Sequence, residues 1–188
     1  HVAYIFFENK KMFKSLKNVI LAKHFLIKYG QNVLRHMILS SHFNQVINLN
    51  SELIGQSMEW AGKMENLLKR IGFFLFENKL TYKKKSNDQE VVNLLLDNLN
   101  TVRVFHLIEK KTSILNWILN ENLNGDTAFF ESIDSIIFSF ELMGFDFNIP
   151  KYNLEIKKTI VKWKKFRDIR EYDSADKLRK FLQKENIF

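Results

Sequence analysis

The chain has 188 residues, 46% of them apolar, with eighteen Phe, one Pro and no Cys. That is enough apolar material for a packed core, which excludes intrinsic disorder, and no apolar run approaches the ~20 residues of a membrane helix. The absence of Cys excludes disulfides, thiolate metal sites and a cysteine nucleophile. The net charge of +8 is unevenly spread. Residues 1–40 carry +6, residues 41–150 carry −4 and residues 151–188 carry +6. Two basic ends flank an acidic middle. Such ends are either solvated faces or contacts for a polyanion.

In chain order, residues 1–7 read as a short strand and 8–18 as a lysine-rich loop. A helix fits 20–29, stopped by Gly30, and a second fits 31–41 with Val33, Leu34, Met37 and Ile38 on one face. Residues 42–50 read as an irregular connector. Asn50 or Ser51 can cap a long helix whose stripe is Leu53, Trp60, Ala61, Met64, Leu67, Leu68, Ile71, Phe74 and Leu75. Gly55, Gly62 and Gly72 within it each cost ~1 kcal/mol against Ala, and close helix packing is the expected reason for them. Residues 83–88 form a charged break and 91–99 a short helix. Asn100 or Thr101 caps a helix with Val104, Phe105, Ile108, Leu115, Ile118 and Leu119 inward. A loop at 122–126 follows. Asp126 or Thr127 caps a helix with Phe129, Phe130, Ile133, Ile136, Ile137, Phe140 and Met143, ended by Gly144. A linker surrounds Pro150. Residues 154–170 read as a basic helix, and Asp173 or Ser174 caps a last one through Ala175, Leu178, Phe181 and Leu182.

The predicted fold is all-α, a helical bundle after a small module with a short strand and loop. The predicted division is 1–50 and 51–188. No complete catalytic site emerges. His24, His36, His42 and His106 lack metal-ligand spacing, and no glycine-rich phosphate loop is present. The notable stretch is Lys11-Met12-Phe13-Lys14-Ser15, where two lysines three apart can place two ammonium groups on one polyphosphate. A plain lysine-rich loop is the bland alternative.

That pentapeptide resembles the Lys-Met-Ser-Lys-Ser signature of class I aminoacyl-tRNA synthetases, with Phe13 in place of the first Ser. Residues 11–26 (KMFKSLKNVILAKHFL), 35–43 (RHMILSSHF), 97–101 (DNLNT) and the closing REYDSADKLRKFLQKENI are similar, in order and spacing, to segments of the cysteinyl-tRNA synthetase family. The resemblance implies a signature loop and stem-contact module over 1–50 and a helical anticodon-binding domain over 51–188. It implies that Lys14 and Lys11 contact ATP phosphates and that Ser15 supports the loop. It also implies that Arg167, Tyr172 and Asp176 face anticodon bases, while Lys157, Lys158, Lys162, Lys164 and Lys165 position phosphates. Tyr172 could instead be a core ring at a helix junction, and Asp176 a first-turn acid.

The family's nucleotide-binding fold, and its zinc with Cys, His and Glu ligands, would lie outside this chain. The expectation is the C-terminal part of a cytoplasmic, monomeric enzyme that uses ATP, cysteine and cysteine-specific tRNA, inactive as this piece alone. The rivals are a free-standing helical RNA-binding module, distinguished by the upstream coding sequence, and a scaffold without RNA.

Overall fold

The computed structural model describes residues 4–13, 15, 19, 21–85, 87–121, 123 and 126–184, excepting the side chains of Lys157 and Lys184. The expectation for Lys14, and parts of the 8–18 and 122–126 loops, therefore lie outside the described residues. The architecture is all-α apart from one small sheet. It comprises β1 (Ile5–Phe7), β2 (Lys10–Lys11), α1 (Ala22–Tyr29), α2 (Gln31–Leu39), β3 (Ile47–Leu49), α3 (Ser51–Glu77), α4 (Gln89–Leu96), α5 (Thr101–Glu121), α6 (Thr127–Leu142), α7 (Leu154–Asp168) and α8 (Tyr172–Lys184). No described helix is long and apolar enough to cross a membrane. The chain divides into two compact units, His1–Met64 with Lys83–Phe147 and Glu65–Tyr82 with Asn148–Phe188.

Two segments read as irregular contain strands. Lys10 and Lys11 pair antiparallel with Phe7 and Phe6 across a turn whose residues, Glu8 and Asn9, have φ of 47° and 62°. Positive φ at both central residues is what a tight two-residue hairpin requires, and Asn tolerates it. The 42–50 connector holds β3, which pairs parallel with β1 in the register Ile5↔Ile47 to Phe7↔Leu49. Helices α1 and α2 make the crossover between them. Reciprocal bonds seal the sheet, from the Asn9 amide N–H to Asn48 Oδ1 (2.9 Å) and from Asn48 Nδ2 to Asn9 Oδ1 (2.7 Å).

The first unit is built on Trp60. Its indole stacks on His36 at 4.4 Å and meets Phe105, Phe145 and Phe147 at 5.3, 5.1 and 5.9 Å. Such ring pairs add to the burial of apolar area. Phe129, Ile108, Leu115, Ile118, Ile133 and Ile136 complete the core between α5 and α6. Asn50, Asp88, Asn100 and Asp126 cap α3, α4, α5 and α6 through their side-chain oxygens. The extended segment after α6 is held by Asn32. Its side-chain amide donates to the Asp146 carbonyl (2.9 Å) and accepts from the Asp146 N–H (2.8 Å), as a strand neighbour would. The charged break at 83–88 is tied down too, with the Lys85 N–H donating to buried Asp134 (3.1 Å) and Lys84 pairing with Glu141.

In the second unit Ile156, Ile160 and Leu182 form a small core, covered by Phe73, Tyr152 and Trp163. The Tyr152 hydroxyl donates to the Lys69 carbonyl at 3.2 Å, and burial pushes its pKa up to about 12. Close packing explains only one of the three α3 glycines. A Cβ on Gly72 would collide with the Pro150 carbonyl oxygen, whereas Cβ atoms on Gly55 and Gly62 would meet nothing within 4 Å. Gly55→Ala and Gly62→Ala should therefore each stabilise the protein by ~0.5–1 kcal/mol. Gly72→Ala should destabilise it. Urea titration of the three variants checks the opposite signs.

Burial lowers the His36 pKa from 6.5 to about 4. The unfolded chain then binds the proton first, so stability present above pH 6.5 is lost as pH falls toward 4. Full desolvation would make this ~3 kcal/mol, and partial solvent access reduces it to about 1–2 kcal/mol. Between pH 7.5 and 4.5 the wild-type urea midpoint should drop by more than that of His36→Gln, in which this proton is absent.

Candidate nucleic-acid interface

The basic sequence after Pro150 forms a helical hairpin. Asn153 caps α7 by accepting from the Ile156 N–H at 2.9 Å. Ile156, Ile160 and Trp163, at i, i+4 and i+7, turn inward, which leaves Lys158, Lys162 and Lys165 exposed on the rest of the helix. Lys164 is also exposed, with its ammonium 6.0 Å from the Phe73 ring centroid. The helix closes with two bonds, from the Glu171 N–H to the Phe166 carbonyl (2.9 Å) and from the Arg170 N–H to the Arg167 carbonyl (3.1 Å). Arg170 takes the left-handed position (φ 60°) that this double closure requires and that Gly usually fills. The chain reverses there, and α8 starts at once.

The start of α8 differs from expectation. The helix begins at Tyr172 rather than after a cap at Asp173 or Ser174. The Glu171 carbonyl accepts the first intrahelical bond, from the Ala175 N–H (3.0 Å). Asp173 is the acid of the first turn, and Asp176 sits one turn further in. Tyr172 is 63% exposed, so it is not a core ring. Tyr172, Asp176 and Arg179 are spaced i, i+4 and i+7 and share one face of α8.

That face and the end of α7 enclose an open groove of about 380 Å³, lined by Trp163, Arg167, Tyr172, Ala175, Asp176 and Arg179. The three residues singled out in the sequence, Arg167, Tyr172 and Asp176, thus come together. The Arg167 guanidinium lies over the Trp163 ring, 4.8 Å from its centroid. An indole face fixes a planar cation without neutralising it. The groove offers a stacking surface, a fork of donors and a carboxylate acceptor, which are the groups that read an unpaired base. Trp163 and Arg179 were not singled out from sequence. Trp163 packs against the small core while lining the groove, and Arg179 joins the set because it falls seven residues after Tyr172.

At the N-terminal end, Lys11 lies in β2, with its ammonium 3.6 Å over the Tyr4 ring and 5.3 Å from the Phe13 centroid. Lys14, the other cation assigned to phosphate, is outside the described residues, and Ser15 is exposed. Among the described residues no three His, Asp or Glu side chains are grouped to hold a metal ion.

A family model described as tRNA synthetases class I (C) catalytic domain matches residues 1–59. Similarity to individual proteins extends over the whole chain. Cysteine–tRNA ligases of Mesoplasma florum and Mycoplasma capricolum are 29% and 32% identical over 192 residues, covering 100% of this chain and 43% of each relative. The cysteine–tRNA ligase of Helicobacter acinonychis is 27% identical over 197 residues, 100% of this chain and 41% of its own. The chain therefore spans less than half the length of the curated relatives it matches. The likeness read in the sequence is thereby shown: from end to end this chain is similar to part of the cysteine–tRNA ligases, which are class I aminoacyl-tRNA synthetases.

Proposed function

We propose that this chain is the C-terminal, tRNA-binding part of a cysteine–tRNA ligase, with the signature loop and a stem-contact module in residues 1–50 and the anticodon-reading domain in 51–188. The intact enzyme, monomeric and cytoplasmic, activates cysteine with ATP and esterifies it to the tRNA 3′ end. Its zinc is held by residues outside this chain. Lys11 and Lys14 meet the ATP phosphates, where two ammonium groups offset charge developing on the departing pyrophosphate.

The observation that carries the reading is the convergence of Arg167, Tyr172 and Asp176 on one open groove beside exposed lysines. Tyr172 stacks on an unpaired anticodon base, Arg167 donates to a base edge, and Asp176 accepts from an amino group. Lys158, Lys162 and Lys165 hold phosphates, which sets affinity without reading sequence.

Tyr172→Ala should weaken binding of cysteine-specific tRNA by ~1–3 kcal/mol, the worth of one base stacked on a ring. Replacing Lys162 or Lys165 should weaken all tRNAs alike and lower the log–log salt slope by about 1 per lysine. Filter binding at several salt concentrations separates the two effects, and binding that ignores both Tyr172 and salt sinks the proposal.

In the intact enzyme, Lys14→Ala should slow cysteine-dependent pyrophosphate exchange by the equivalent of ~2–4 kcal/mol while leaving tRNA affinity unchanged. Equal effects of Lys14→Ala and Tyr172→Ala on both readouts would contradict the division of labour.

A further inference from the structure

The groove between the end of α7 and one face of α8 holds a cation that base reading leaves unused. Arg179 lines it together with Trp163, Arg167, Tyr172, Ala175 and Asp176. The two guanidiniums there are not equivalent. Arg167 lies over the Trp163 ring, 4.8 Å from its centroid, which fixes its plane. Among the described residues no ring carries Arg179, and its side chain is exposed.

Arg179 stands three residues after Asp176, a spacing at which an acid and a base on one helix can pair. Yet neither side chain enters an ion pair or a hydrogen bond among the described residues. A closed pair would occupy the carboxylate and the guanidinium fork together. Left apart, Asp176 remains an open acceptor and Arg179 an open cation. Two guanidiniums against one carboxylate also leave the groove with excess positive charge, which suits an anionic strand.

The order of these groups matters as much as their charge. Tyr172, Asp176 and Arg179 follow one another along α8 over about 10 Å, at ~1.5 Å per residue. An exposed ring stands first, an acid second and a cation last. A nucleotide presents the matching sequence of groups: a face that stacks, an edge with amino groups and, beyond the sugar, an anionic phosphate.

We propose that Arg179 is a phosphate-holding residue, which takes the backbone phosphate beside the base stacked on Tyr172. The groove then grips a whole nucleotide of a single strand rather than a base alone. This rests on the reading that the groove meets the anticodon loop of tRNA. Arg179 contributes affinity and register, while Arg167 and Asp176 contribute choice.

The test measures binding of the full-length protein to cysteine-specific tRNA, and to the same tRNA with a substituted anticodon, at several salt concentrations. Arg179→Gln should weaken both about three- to tenfold, by the same factor, and lower the log–log salt slope by about 1. Arg179→Lys keeps the charge and should keep the slope. Thermal unfolding of both variants should match the wild type, because the residue is exposed and unpaired. The contact is then located from the tRNA side, with neutral methylphosphonate linkages placed one at a time around the anticodon loop. At one of them the wild type should lose as much affinity as it loses through Arg179→Gln, and the variant should lose nothing more.

While Tyr172→Ala still weakens binding, an unchanged salt slope in Arg179→Gln, an altered preference between the two tRNAs, or purely additive losses at every linkage overturns the proposal alone. A wild-type protein that treats the two tRNAs alike and ignores Tyr172→Ala overturns the anticodon reading, and this role with it.

Discussion

Each compact unit is held by its own cluster of large apolar side chains. Of the 27 residues of α3, Trp60 and Met64 fall in the first unit and Phe73 in the second. In the first core Trp60 gathers His36, Phe105, Phe145 and Phe147. In the second, Phe73 covers the small cluster of Ile156, Ile160 and Leu182 that holds the α7–α8 hairpin. The candidate groove exists only because that cluster fixes α7 and α8 side by side and the Arg170 turn reverses the chain between them.

Long periodic elements were legible from residues alone. The stripes of α3, α5 and α6 repeat over several turns, and their caps at Asn50, Asn100 and Asp126 are residues whose side chains bond early helix N–H groups. The strands β2 and β3 were not legible. Two or three residues cannot display a period, and β3 pairs with a strand 42 residues before it, Ile5 opposite Ile47. The α3 glycines misled for a different reason, since an open helix surface and a crowded one look alike in sequence. Only Gly72 faces a backbone, at Pro150.

The groove was half legible. Arg167, Tyr172 and Asp176 came from the resemblance, and the fold brings them to one place. Trp163 was not legible as part of the groove, because the same ring covers the core and carries the Arg167 guanidinium. The site is thus continuous with the second core. Its charged parts are held by packing on one side and left open on the other, which suits a ligand whose base must be unstacked before it is read. In the proposed reading, the lysines around it would supply attraction without choice and the groove would supply choice.

The most direct measurement compares the affinity of this chain for cysteine-specific tRNA with that for the same tRNA carrying a substituted anticodon, at one fixed salt concentration. The account predicts that the substituted tRNA binds at least several-fold more weakly, and that this preference disappears when Arg167 and Asp176 are both replaced by alanine. Equal affinity for the two tRNAs, with the helices demonstrably folded, would contradict it.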